Sequence, residues 1–165
     1  MCLLNVKWAL HNHPVQRYGH IMTTSTAGKR RIVVGVDGSP NSMKAVDWAI
    51  SFAHSGDTVV LLSAWSPVVV PADMAMSYTF DDTGARSILD QENKRVAQAA
   101  ANRGVSLAVH FENNDPRNAL LESKCDLIVI GARGHGGVVG LLLGSVADYV
   151  SRHSKVPVVI VPAAE

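Results

Sequence analysis

Residues 31–46 read RIVVGVDGSPNSMKAV. Arg31–Asp37 is a continuous apolar run ending on an acid, the pattern of a parallel strand buried on both faces. Gly38-Ser39-Pro40-Asn41 follows as a tight turn. Ser39 is placed to cap a helix whose first residue is Pro40, where a missing N–H costs nothing. Met43, Val46, Ile50 and Ala53 then recur at helical spacing, and Gly56 supplies a stop. The order is strand, tight turn, helix.

The same order repeats outward from this stretch. Thr58–Trp65 (TVVLLSAW) reads as a second apolar strand. Ser66–Gly84 is irregular, and a connection of that length is uncommon without a role, which makes it a candidate lid. Ala85–Arg103 reads as a helix with Ile88, Leu89, Val96 and Ala99 inward, and Val105–Phe111 as a third strand. Asp115-Pro116 opens a short helix through Lys124, and Asp126–Ile130 is a fourth strand. A glycine-rich loop leads to a helix over Ser145–His153. Val156–Val161 closes the chain as a fifth strand, and Pro157, which cannot donate to a ladder, puts it at an edge or beside a bulge. This alternation calls for one open α/β sheet with helices on both faces. Ligands of such folds sit beyond the carboxyl ends of the strands, at a topological switch point. Asp37, the residues near Trp65 and the loop from Gly131 are therefore the candidates for chemistry.

Composition narrows the class. The 165 residues are 47% apolar and 18% charged, which argues against disorder. Aromatics are 5%, so Val, Ile, Leu and Ala must build the core. A formal net charge of +1 removes the electrostatic case for a dedicated nucleic-acid binder. Cys2 and Cys125 offer no disulfide framework and no thiolate set for zinc. Cys125, at the start of an apolar strand, reads as a small buried hydrophobe. With no apolar run near membrane-spanning length and no signal-peptide pattern, the cytoplasm is the expected location. Residues 1–31 carry Lys7, Arg17, Lys29, Arg30 and Arg31 and no acid. They lack helix or strand periodicity, so residues 1–28 read as a disordered extension before a single domain over 29–165. Alternatively translation starts at Met22, whose polar sequel resembles an ordinary bacterial N-terminus.

The loop from Gly131 to Val146 reads GARGHGGVVGLLLGSV. Glycines allow positive φ and close backbone approach, and successive N–H groups form an anion-binding concavity. Gly144-Ser145 stand where a helix start presents free N–H groups and partial positive charge. The arrangement suits a polyphosphate, although glycines at such a place also serve plain turn chemistry. Neither a Walker A loop nor GxGxxG is present, since Gly144 stands where a lysine is needed and Val139 where a glycine is needed.

From about Arg30 to Pro162 the chain resembles a universal stress protein domain. RIVVGVDGSPNSMKAVDWA at the start and CDLIVIGARGHGG with LLLGSVADYVSRHSKVPVVIVP at the end carry the likeness. The family's ATP-binding form has G-x2-G-x9-G-[ST], matched here by Gly131, Gly134, Gly144 and Ser145. The resemblance implies a five-stranded parallel sheet in order 3-2-1-4-5, of the adenine nucleotide alpha hydrolase-like type. It implies that Asp37, with Gly35 beside it, approaches adenosine, and that backbone near Ala64 holds adenine. Ribose and phosphates then fall to Gly131, Arg133, Gly134, His135, Gly144, Ser145 and Val146. Asp37 is the one loop-end carboxylate to offer Mg²⁺, with a plain helix cap as the alternative reading of the same residue. Arg133 and His135 supply positive charge if they face the ligand, and Asp47 and Asp148 read as surface carboxylates. The segment from Pro116 to Asp126 is shorter than the family's usual one, and Asn113-Asn114 replace a small turn.

The resemblance points to an ATP-binding, nucleotide-dependent stress regulator. It also implies a homodimer through the apolar edge strand 156–161, which would otherwise leave backbone groups unpaired. Two alternatives belong to other classes, a nucleotide-free dimeric scaffold and a slow ATPase. No GxSxG elbow announces a hydrolytic serine.

Overall fold

A computed structural model describes residues 29–66, 82–135 and 142–162. The N-terminal extension, most of the candidate lid and the loop residues 136–141 lie outside these. The elements run β1 (Arg31–Gly35), α1 (Pro40–Phe52), β2 (Thr58–Ala64), α2 (Thr83–Asn102) and β3 (Ser106–Glu112). They continue as α3 (Pro116–Glu122), β4 (Leu127–Gly131), α4 (Ser145–His153) and β5 (Val158–Val161). All strand pairs are parallel, in the order β3-β2-β1-β4-β5.

The period-two alternation of the strands divides the core. Ile32, Val34, Val59, Leu61 and Val129 pack with Ala45, Val46 and Ala49 of α1 and Leu89 and Val96 of α2. Val33, Val60, Leu62, Ile128 and Ile130 face the other way, onto Ala119 and Leu120 of α3 and Ala147 and Val150 of α4. The buried apolar side chains are Val, Ile, Leu and Ala throughout, as the scarcity of aromatics requires. Each full burial of a Val, Ile or Leu contributes roughly 1.5–3 kcal/mol before its ordering cost. Cys125 is half-buried at the margin of the second cluster rather than fully inside it.

Local chemistry fixes the element ends. Ser39 caps α1, its hydroxyl accepting from the Ser42 N–H at 3.2 Å, with Pro40 next in line. Gly38 has φ +83°, a backbone conformation that favours glycine at this position of the β1–α1 turn, and an added Cβ would press on the Ile88 side chain at 2.9 Å. Helix α1 ends at Phe52 with Ala53 as its C-cap. Gly56 is therefore not the helix stop that its spacing suggests; its φ of +91° serves the turn before β2. Asp115 caps α3 by accepting from the Arg117 N–H at 2.8 Å. Strand β5 begins at Val158 and lies at the sheet edge, and the Pro157 carbonyl accepts from the Ile128 N–H at 3.1 Å.

Asp57 ties together the amino ends of the strands. It is 4% exposed and accepts from the Arg30 N–H (3.0 Å), Arg30 Nε (3.0 Å) and Nη2 (2.6 Å) and the His54 N–H (2.9 Å). Burial pushes its carboxyl up, but the Arg30 guanidinium and the two backbone donors outweigh this and hold it at about 2.

Candidate functional site

The strand order reverses across β1 and β4, and beyond their carboxyl ends lies a cavity of about 440 Å³. That volume falls within the roughly 300–1,000 Å³ of small-molecule sites. Gly35, Asp37, Ala64, Gly131, Arg133, Gly134, His135, Gly144, Ser145 and Val146 all line it. The ten residues named from the sequence thus meet around one space.

Asp37 leaves the end of β1 and is the one acidic residue of the lining. Its Oδ1 accepts from the Ser39 N–H at 2.9 Å and the Ser39 hydroxyl at 2.7 Å. Ser42 completes the cluster, its hydroxyl donating to the Ser39 carbonyl at 2.9 Å. Partial desolvation raises the Asp37 pKa, but the Ser39 and Ser42 bonds and the nearby His135 together hold it below the ordinary value. Asp37 therefore braces the α1 cap with one oxygen. The other, Oδ2, stands against Gly134, where an added Cβ would collide with it.

The loop is drawn onto the sheet at both ends. The Ala132 N–H donates to the Val161 carbonyl at 2.8 Å, and the Gly144 N–H to the Ala132 carbonyl at 2.7 Å. Gly131 passes so close to α1 that an added Cβ would lie 2.8 Å from the Asn41 carbonyl carbon. This is the close approach for which a glycine is required. Gly144 is the N-cap of α4 and has no side chain to cap it, and the first N–H bonded within the helix is that of Asp148, to the Gly144 carbonyl at 2.9 Å. Among the described residues nothing accepts from the N–H groups of Ser145, Val146 and Ala147, three residues that line the cavity with the positive end of the helix dipole behind them. Arg133 Nε is buried and has no hydrogen-bond partner among the described residues. Such a group calls for an acceptor, because leaving it unpaired is costly.

Apolar side chains also line the cavity, among them Leu62, Pro116, Leu120, Ile130 and Leu143. Pro116 and Leu120 come from α3, which sequence reasoning placed as a helix but not at the site. The cap-and-proline signal at Asp115-Pro116 marks where that helix starts, and only tertiary packing shows which space its first turn closes. Among the described residues no group of three His, Cys, Asp or Glu side chains could hold a metal ion. Asp47 and Asp148 stand away from the cavity and pair with Arg95 and Arg152. No helix among the described residues is long and apolar enough to cross a membrane.

The sequence profile of the universal stress protein family matches residues 29–162. Universal stress protein Rv1636 of Mycobacterium tuberculosis is 34% identical over 142 residues, covering 80% of this chain and 95% of that protein. Universal stress protein Mb2019 of Mycobacterium bovis is 31% identical over 150 residues, 79% of this chain but 47% of its own length. The chain thus spans about half of that longer relative. Among solved structures, a universal stress protein in complex with cAMP is 30% identical, with a TM-score of 0.61 over 82% of this chain and 98% of that one. UspA from Lactobacillus plantarum shares the fold at 22% identity, with a TM-score of 0.68 over 82% and 99%. A profile matched across the whole sheet, together with a full-length relative at 34% identity, places the chain in the universal stress protein family.

Proposed function

We propose that the chain binds an adenine nucleotide, ATP foremost, and acts as a nucleotide-dependent stress-response regulator in the cytoplasm. The observation that carries this reading is the cavity wall itself. The helix start of α4, which has no side-chain cap, meets Gly131, Arg133, Gly134 and His135 around one space. The solved relative in complex with cAMP lends support from sequence similarity.

The residues fit the ligand by region. Leu62, Ala64, Pro116 and Leu120 offer an apolar slot with a backbone edge, suited to a purine base. The free oxygen of Asp37 suits a sugar hydroxyl, or a Mg²⁺ shared with phosphates. Gly131, Gly134, Gly144, Ser145 and Val146 receive the phosphates, with Arg133 and His135 supplying positive charge. Loop and helix start would then change their outward surface with occupancy, which is what a partner protein would read. Strand β5, apolar and at the sheet edge, supports a homodimer through residues 156–161. Light scattering should then give twice the 17.6 kDa of one chain, and a single-chain mass would remove the dimer.

The test is to denature freshly purified protein and identify the released small molecule by mass spectrometry. Stoichiometric ATP supports the reading, and ADP or AMP points to slow hydrolysis. An empty protein that also fails to bind added ATP overturns it in favour of a nucleotide-free scaffold.

A further inference from the structure

We infer that Asn41, on the first turn of α1, is a positioning residue that aims the Gly134 amide at the ligand's phosphates. The inference rests on the nucleotide reading and adds a residue outside the glycine motif. Asn41 Nδ2 donates to the Arg133 carbonyl at 3.1 Å, across 92 residues of sequence. The peptide between Arg133 and Gly134 is trans and planar, so its C=O and N–H point in opposite directions. Holding the carbonyl on α1 therefore turns the Gly134 N–H away from α1. That nitrogen faces Gly144, whose added Cβ would lie 3.7 Å from it. No described residue accepts from it. The Asn41 backbone also packs directly on Gly131, so one residue of α1 touches the chain both at the end of β4 and at the Arg133–Gly134 peptide. Preorganising a donor in this way removes the ordering cost that binding would otherwise meet.

The experiment titrates the full chain and its Asn41→Ala and Asn41→Asp variants with ATP and, separately, with adenosine, which has no phosphate. Removing one neutral hydrogen bond should weaken ATP binding about five- to tenfold while leaving adenosine within about twofold. Asn41→Asp should weaken ATP further, since it replaces the donor by a charge facing a carbonyl. Should Asn41→Ala fail to fold, Asn41→Ser, which retains a short donor and less reach, carries the same comparison. Equal losses for ATP and adenosine, or no loss for ATP, overturn the positioning role while the nucleotide site stands. A wild-type chain that binds neither ligand overturns the nucleotide reading and this inference together.

Discussion

At the amino ends of the strands Asp57 accepts four hydrogen bonds, while at the carboxyl ends a helix starts on a glycine and a buried arginine nitrogen finds no described partner. The same contrast separates the three helix starts beside the cavity. Ser39 and Asp115 cap α1 and α3 with their side chains, each followed by proline, whereas Gly144 offers α4 nothing. Saturated polar groups lock a fold, and unsaturated donors held in place await a ligand. On the proposed reading the two ends of one sheet separate stability from binding, and substitutions should separate them too.

The largest effect is expected at the lock. Asp57→Ala leaves Arg30 and two backbone N–H groups without their acceptor, and should destabilise the fold by about 3 kcal/mol. A thermal midpoint lower by roughly 6–12 °C would register this, with ATP affinity in the folded fraction unchanged. Because the Asp57 pKa is lowered in the folded chain to about 2, its contribution is complete above the unfolded value of 3.8. It is lost as the pH falls through about 2. Urea midpoints measured down that window should decline, and less steeply in Asp57→Asn.

The next effect lies at the open end and has opposite signs for stability and binding. Gly144 has an extended backbone (φ −76°, ψ 164°), and an added Cβ meets nothing closer than 3.5 Å, so an aspartate fits. Gly144→Asp should cap α4 and stabilise the fold by about 0.5 kcal/mol. It should also weaken ATP at least tenfold, by occupying the donors and repelling phosphate. A variant that loses stability, or keeps its ATP affinity, would break the contrast.

The smallest effect falls where both tasks meet. Ser39 caps α1 and holds Asp37, so Ser39→Ala should cost about 1 kcal/mol by denaturant unfolding. It should also weaken ATP about threefold by freeing the carboxylate.

Much of this was legible because local chemistry writes it into neighbouring residues. Apolar runs mark four of the strands and partial alternation the third, Ser39-Pro40 marks the start of α1, and the glycine spacing marks the loop wall. Gly56 misled because a positive-φ glycine marks a turn as readily as a helix end. Pro157 lacks a donor and marks the edge position of β5, but the strand starts only after it, at Val158 rather than Val156. Asp57 with Arg30, Asn41 with Arg133, and Pro116 with Leu120 at the cavity were not legible. Their partners lie far along the chain or meet only through packing, and no periodicity records such a meeting.

The most direct measurement is calorimetric titration of ATP into the purified full chain beside its Gly144→Asp variant. Saturable one-to-one binding to the wild type, weakened at least tenfold in a variant that melts no lower, is the predicted result. A wild type that binds no ATP, or a variant that binds it equally well, would show that the open helix start is not a phosphate site.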